Sequence, residues 1–67
     1  MTSTTRYSAE RNGYRVEVYE YTFNRKHGFG TRVKNLTTQS SAQTPGFSSY
    51  ATALEAAQQE ADEGKIK

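Results

Sequence analysis

The chain has 67 residues, of which 33% are hydrophobic and 12% aromatic, and a formal charge of +2. That length holds one domain with a small core, burying about 60% of the surface its unfolded form exposes. The lack of Cys excludes disulfides and thiolate metal sites, and no apolar run approaches the roughly 18 residues of a membrane span.

Charge is unevenly placed. Residues 1–54 carry seven basic and three acidic side chains, leaving +4, whereas residues 55–67 carry two and four, leaving −2. Met1 to Thr5 has neither the charged nor the apolar part of a signal peptide, so a cytoplasmic setting is expected.

Residues 1–12 are polar and rich in Ser and Thr, and read as a flexible start that only Tyr7 can tie down. The single domain is expected over residues 13–67. Asn12-Gly13 is a turn signal. Tyr14 to Phe23 is dense in β-branched and aromatic residues and free of Gly and Pro, the strongest strand signal in the chain. Asn24 to Gly28 reads as a turn. Phe29 to about Thr38 reads as a second strand, closing a β-hairpin over residues 14–38. The polar stretch 37–46, with Pro45-Gly46 at its end, offers a third, edge strand, because a lone hairpin is marginal.

Tyr50 to Glu63 is Ala-rich and helical by propensity. Ser48 or Ser49 is the N-cap. Tyr50, Ala53, Leu54, Ala57 and Ala61 form one apolar stripe. Gly64 suits the position just past the helix, and Ile66 can pack back on the last turn. The expected class is α+β: a small antiparallel sheet of two to three strands with one C-terminal helix on one face.

The hairpin has two half-apolar faces. Setting Phe23 opposite Phe29 places Arg15, Glu17, Tyr19, Tyr21 and Phe23 with Thr37, Asn35, Val33, Thr31 and Phe29. Tyr14, Val16, Val18 and Glu20 then share the other face with Thr38, Leu36, Lys34 and Arg32. Either the aromatic face is the core, or the helix covers Tyr14, Val16, Val18 and Leu36. In the second case Tyr19, Tyr21, Phe23 and Phe29 form an exposed patch beside Arg15, of the kind that marks partner or oligomer surfaces. A one-residue slip in register inverts the assignment.

Catalytic chemistry finds few residues to work with. The single histidine, His27, sits in the expected turn beside Arg25 and Lys26, and reads as a solvated turn residue. Glu17 and Glu20 are three apart on a strand and point to opposite faces, which disfavours paired-carboxylate chemistry. One His without Cys makes a zinc site improbable. Gly28-Phe29-Gly30 lies within a hairpin, not between a strand and a helix N-terminus as dinucleotide binding requires. Gly28 there closes the turn and Gly30 relieves crowding or sits at a bulge. No cofactor, metal or membrane partner is expected.

The basic residues point elsewhere. Arg25, Lys26 and His27 form a basic tip, with Arg32 and Lys34 on one face of the second strand and Arg15 on the first. A basic sheet face can meet phosphate, and interleaved aromatics can stack on bases. The ordinary alternative is a solvated face, with Glu20 pairing across to Arg32.

Arg11-Asn12-Gly13-Tyr14, a strand, a basic turn, Gly28-Phe29-Gly30, another strand, then Phe47-Ser48-Ser49 and an Ala-rich helix resembles, over residues 11–63, the arm-type DNA-binding domains of phage tyrosine-recombinase integrases. That resemblance implies a three-stranded antiparallel sheet backed by a C-terminal helix, with the exposed sheet in the major groove. Arg15, Arg25, Lys26, Arg32 and Lys34 would then face DNA. The expected function is a small non-enzymatic module binding nucleic acid, DNA above all, through the basic hairpin and sheet face. The alternative is a protein-interaction module or homodimer, such as a small phage-type regulator or inhibitor of a host protein, using Tyr19, Tyr21, Phe23 and Phe29.

Overall fold

The computed structural model describes residues 2–67, so Met1 lies outside the described residues. Four strands run in sequence order across one antiparallel sheet: β1 (Thr2–Arg11), β2 (Tyr14–Phe23), β3 (Lys26–Asn35) and β4 (Ser41–Phe47). A single helix, α1 (Tyr50–Glu63), crosses one face of the sheet. The α+β class and the helix on one face are as expected; the sheet has four strands, not two or three.

The additional strand is β1. The segment expected to be flexible pairs along its length with β2, from Thr2 opposite Thr22 to Arg11 opposite Tyr14. Asn12 and Gly13 both take positive φ (55° and 81°), the conformation that a two-residue hairpin requires. Ser and Thr serve well on a half-solvated edge strand, so low hydrophobicity was a poor guide here. Tyr7 does pack against the core.

The β2–β3 turn is also tighter than expected. Asn24 and Arg25 alone form it, with φ of 52° and 64°, and Lys26, His27 and Gly28 belong to β3. Residues in register across this hairpin are Tyr14 with Asn35, Val16 with Val33, Val18 with Thr31 and Glu20 with Phe29. The offset from the expected pairing is odd, so every β3 side chain changes face. Val33, Thr31 and Phe29 join Val16 and Val18 beneath the helix, while Arg32 and Lys34 lie on the other face with Tyr19 and Tyr21.

The core is correspondingly simple. Val16, Val18, Thr31 and Val33 are fully buried against Ala53, Ala57 and Ala61 of α1. The helix has a small-residue face, so its axis can lie close to the sheet. Each Val moved out of water contributes about 1.5–3 kcal/mol. Leu36, expected beneath the helix, instead sits half-buried just beyond β3, where its N–H donates to the Gly13 carbonyl.

Both ends of α1 are held. The Ser49 hydroxyl accepts from the Thr52 N–H at the N-cap. At the other end, Gly64 takes φ 64° and donates to the Ala61 carbonyl, and the Lys65 N–H donates to Glu60. The Asn12 amide also donates to Ala61 O, and Arg11 makes two hydrogen bonds to the Asp62 carboxylate. The Tyr14 hydroxyl and the Asn35 amide both donate to Ile66 O. The β1–β2 turn thereby fixes where the helix ends.

Both sheet edges carry irregularities. A bulge lies between Thr5 and Tyr7 on β1, and the pairing of β4 shifts around Pro45-Gly46. Bulges and an edge Pro twist the strand away and block further strand pairing. No helix among the described residues is long and apolar enough to cross a membrane.

Candidate functional site

The face of the sheet away from α1 is a shallow depression of about 640 Å³ that spans all four strands. Its floor is made by Tyr19 and Tyr21, and its walls include Ser3 and Thr5 from β1, Arg32 from β3 and Gln43 from β4. Bulges in both edge strands bend the sheet around this centre.

The two tyrosines are placed by two glycines. Gly28 faces Tyr21 and Gly30 faces Tyr19 across the β2–β3 ladder. Both glycines are buried, although the helix does not cover them. A Cβ at position 28 would meet the Tyr21 Oη at 2.9 Å, and one at position 30 would meet the Tyr19 Cε2 at 2.7 Å. The distal end of each ring therefore lies close over bare backbone. Gln43 Nε2 donates to the Tyr19 hydroxyl at 2.9 Å, and the Gly46 N–H donates to the Tyr21 hydroxyl at 3.1 Å. Each ring reaches from β2 across β3 and is fastened to β4. Their centroids are 6.0 Å apart, with the planes tilted by 46°. Gly28 thus lies mid-strand and does not close the turn, while Gly30 relieves crowding as expected.

Cations surround the rings. Arg15 and Lys34 are directly opposite each other in the β2–β3 register, and Glu17 is opposite Arg32. Arg32 also bonds Gln43 at 3.4 Å. Lys26 is opposite Phe23 on the same face, beside the turn that holds Arg25. Glu10 approaches Arg15 at 3.7 Å. Like charges set directly across a ladder destabilise a sheet, so the Arg15–Lys34 pair is an unfavourable arrangement for an isolated sheet. Glu10, directly opposite Arg15 on β1, offsets part of that repulsion.

Two of the expected site residues are elsewhere. His27 is exposed, as expected, but lies in β3 on the helix side rather than in the turn, and bonds the Glu20 carboxylate, which also receives Arg6. Arg6, with Glu10 and Glu17 rather than Glu20 on the open face, replaces the expected Glu20–Arg32 pair. The Arg6 hydrogen bond, then the one from His27, hold the Glu20 carboxyl below its ordinary range. Phe29 is half-buried on the helix side, edge-on to His27 at 5.2 Å and to Tyr50 at 6.3 Å. Phe23 remains on the open face and is 54% exposed. The open face therefore gathers Arg15, Lys26, Arg32, Lys34, Tyr19, Tyr21 and Phe23, with Arg25 at its tip.

Among the described residues, no group of three or more His, Cys, Asp or Glu side chains could hold a metal ion. The four helix carboxylates, Glu55, Glu60, Asp62 and Glu63, belong to the opposite layer. No family model, curated protein or solved structure matches this chain.

Proposed function

We propose that the protein is a non-enzymatic binding module whose open sheet face takes nucleic acid. The observation that carries this reading is the segregation of charge between the two layers. Arg15, Lys26, Arg32 and Lys34 flank two upward-facing tyrosine rings on the uncovered face, while the acidic side chains of α1 lie on the far side of the sheet. Phosphates lie over the cations, and the four helix carboxylates that would repel them are about one sheet thickness away, leaving Glu10 beside Arg15 and Glu17 opposite Arg32 as the carboxylates of the open face. The bulged edges, one bearing Pro45, disfavour association through the edge strands; the alternative of a protein partner or second copy on Tyr19, Tyr21 and Phe23 uses the same open face.

The test is a titration of fluorescent mixed-sequence DNA and RNA at about 50 and about 200 mM salt, where phosphate contacts lose most of their affinity. Binding that falls steeply with salt, and is abolished by combined Lys26→Glu, Arg32→Glu and Lys34→Glu reversals, is the expected outcome. No binding of any polynucleotide at the lower salt removes this reading. A melting temperature that rises with protein concentration would then indicate the self-associating alternative.

A further inference from the structure

We infer that the ligand of the open face is a single-stranded polynucleotide, two of whose bases stack separately on Tyr19 and Tyr21. This inference rests on the nucleic-acid reading and selects among its ligands. Three features of the face carry it.

The first is ring orientation. A tyrosine standing upright from a sheet offers an edge. Here Gly28 and Gly30 remove the side chains that would prop the rings up, and Gln43 and Gly46 hold the hydroxyls down on β4. Both rings thus line the depression with their distal ends held down over the β3 backbone. A ring already fixed in place stacks on a base with little further loss of conformational freedom.

The second is ring spacing. The centroids are 6.0 Å apart and follow one another along β2. Neighbouring bases in a duplex are stacked about 3.4 Å apart along each strand. Two bases resting one on each ring cannot also stack on each other. Occupying both platforms needs bases already splayed, and a single strand supplies them at little cost, whereas a duplex would first have to be opened.

The third is shape. Three interstrand gaps of about 4.8 Å make the sheet roughly 14 Å wide before side chains are added. A major groove about 12 Å wide admits a helix or a two-stranded ribbon. The face is also hollow at its centre, with Thr5 and Gln43 standing on either side of the rings. A duplex would rest on the rims and leave the rings untouched. A single strand lies in the hollow with its phosphates towards Lys26 at the turn end of the rings and towards Arg32 and the Arg15–Lys34 pair at the end away from the turn.

The experiment is anisotropy titration of the full chain with about 12-nucleotide mixed-sequence single-stranded DNA, single-stranded RNA and the matching duplex, a length within the usual span of one such surface. At least one single strand is expected to bind tenfold or more tighter than the duplex. Tyr19→Leu and Tyr21→Leu should each weaken it by about fivefold to 150-fold, the contribution of one stacked base. Tyr19→Phe, which keeps the ring and loses only its hydroxyl tether, should weaken binding less than Tyr19→Leu, and urea unfolding of each variant guards against reading a folding defect as lost stacking. The chain has no Trp, so quenching of tyrosine emission, diminished in each Leu variant, is an independent signal. Duplex binding as tight as or tighter than both single strands, or full affinity in both Leu variants, overturns the inference while leaving the phosphate-binding reading intact. Failure of every polynucleotide to bind removes the broader reading instead.

Discussion

The Tyr19 ring lies across the backbone of Gly30, with the tyrosine hydroxyl accepting from Gln43 on the next strand. In most strands, Gly→Ala gains about 0.5–1 kcal/mol. At position 30 the added methyl would overlap the ring, and such overpacking costs about 1–3 kcal/mol. Gly30→Ala is therefore expected to destabilise the protein by roughly 1 kcal/mol, and to become neutral or stabilising in a Tyr19→Ala background. Urea unfolding of the four proteins measures the coupling. An equal effect of Gly30→Ala in both backgrounds would mean the ring does not lie on that glycine.

The same closeness governs the other face. Ala57 is fully buried against Tyr14, Val16 and Val33. A larger side chain there must push the helix off the sheet. Ala57→Leu should cost about 1–3 kcal/mol, whereas Ala51→Leu, on the exposed side of α1, should stay within about 0.5 kcal/mol. Thermal unfolding of both variants checks this; equal melting temperatures would show that the Ala face is not the contact.

The helix was legible because several signals agreed: an apolar stripe, a Ser cap and a terminal Gly all point to Tyr50–Glu63. β2 was legible for the same reason. The register was not. Asn24-Arg25 does not have the Asn-Gly form that announces a two-residue turn, and its basic neighbours look like loop. Placing Lys26–Gly28 in the turn moved Arg32 and Lys34 to the wrong face and Phe29 to the open one. The offset of three in the pairing sum mattered less for its size than for its parity, since side chains alternate with period two. β1 was missed because its signal is Thr and Ser, which suit an edge strand as well as a tail. The glycine–tyrosine pairing is visible as Tyr-x-Tyr facing Gly-x-Gly, but only once the register is known.

Arg25 occupies the left-handed region with φ 64°, a conformation that costs a non-glycine residue about 1 kcal/mol or more. Arg25→Gly should accordingly raise stability by about 0.5–1 kcal/mol, and the melting temperature by several degrees for a domain of this size. If the side chain also meets phosphate, the same substitution should weaken polynucleotide binding and lessen its salt dependence by about one charge. A stability gain with no change in the salt slope would assign Arg25 to the turn alone.

Arg11 and Asp62 join the first strand to the end of the helix, 51 residues apart in sequence. The hydrogen bond from Arg11, reinforced by its charge, holds the Asp62 carboxyl below its ordinary range. A carboxyl whose folded value is depressed stabilises the fold fully above its unfolded value, about 3.9 for Asp, and loses that contribution as pH falls through the lower folded value. Glu20, bonded by Arg6 and His27, and Glu63, bonded by Gln59 and Lys65, are depressed in the same sense. The protein should therefore lose stability on acidification below about pH 4. Asp62→Asn removes one contributor, so its stability should lie below wild type at pH 7 and converge on it as the pH falls through the depressed folded value of Asp62. Arg11→Gln should flatten the acid limb in the same way, and the double variant should add nothing further, because both substitutions delete one interaction. Because both side chains are about half exposed, salt should shrink the difference at pH 7. Chemical denaturation at pH 2, 3, 4 and 7 is the measurement, and a wild-type-to-variant gap that stays constant across that range would show that the pair does not titrate with folding.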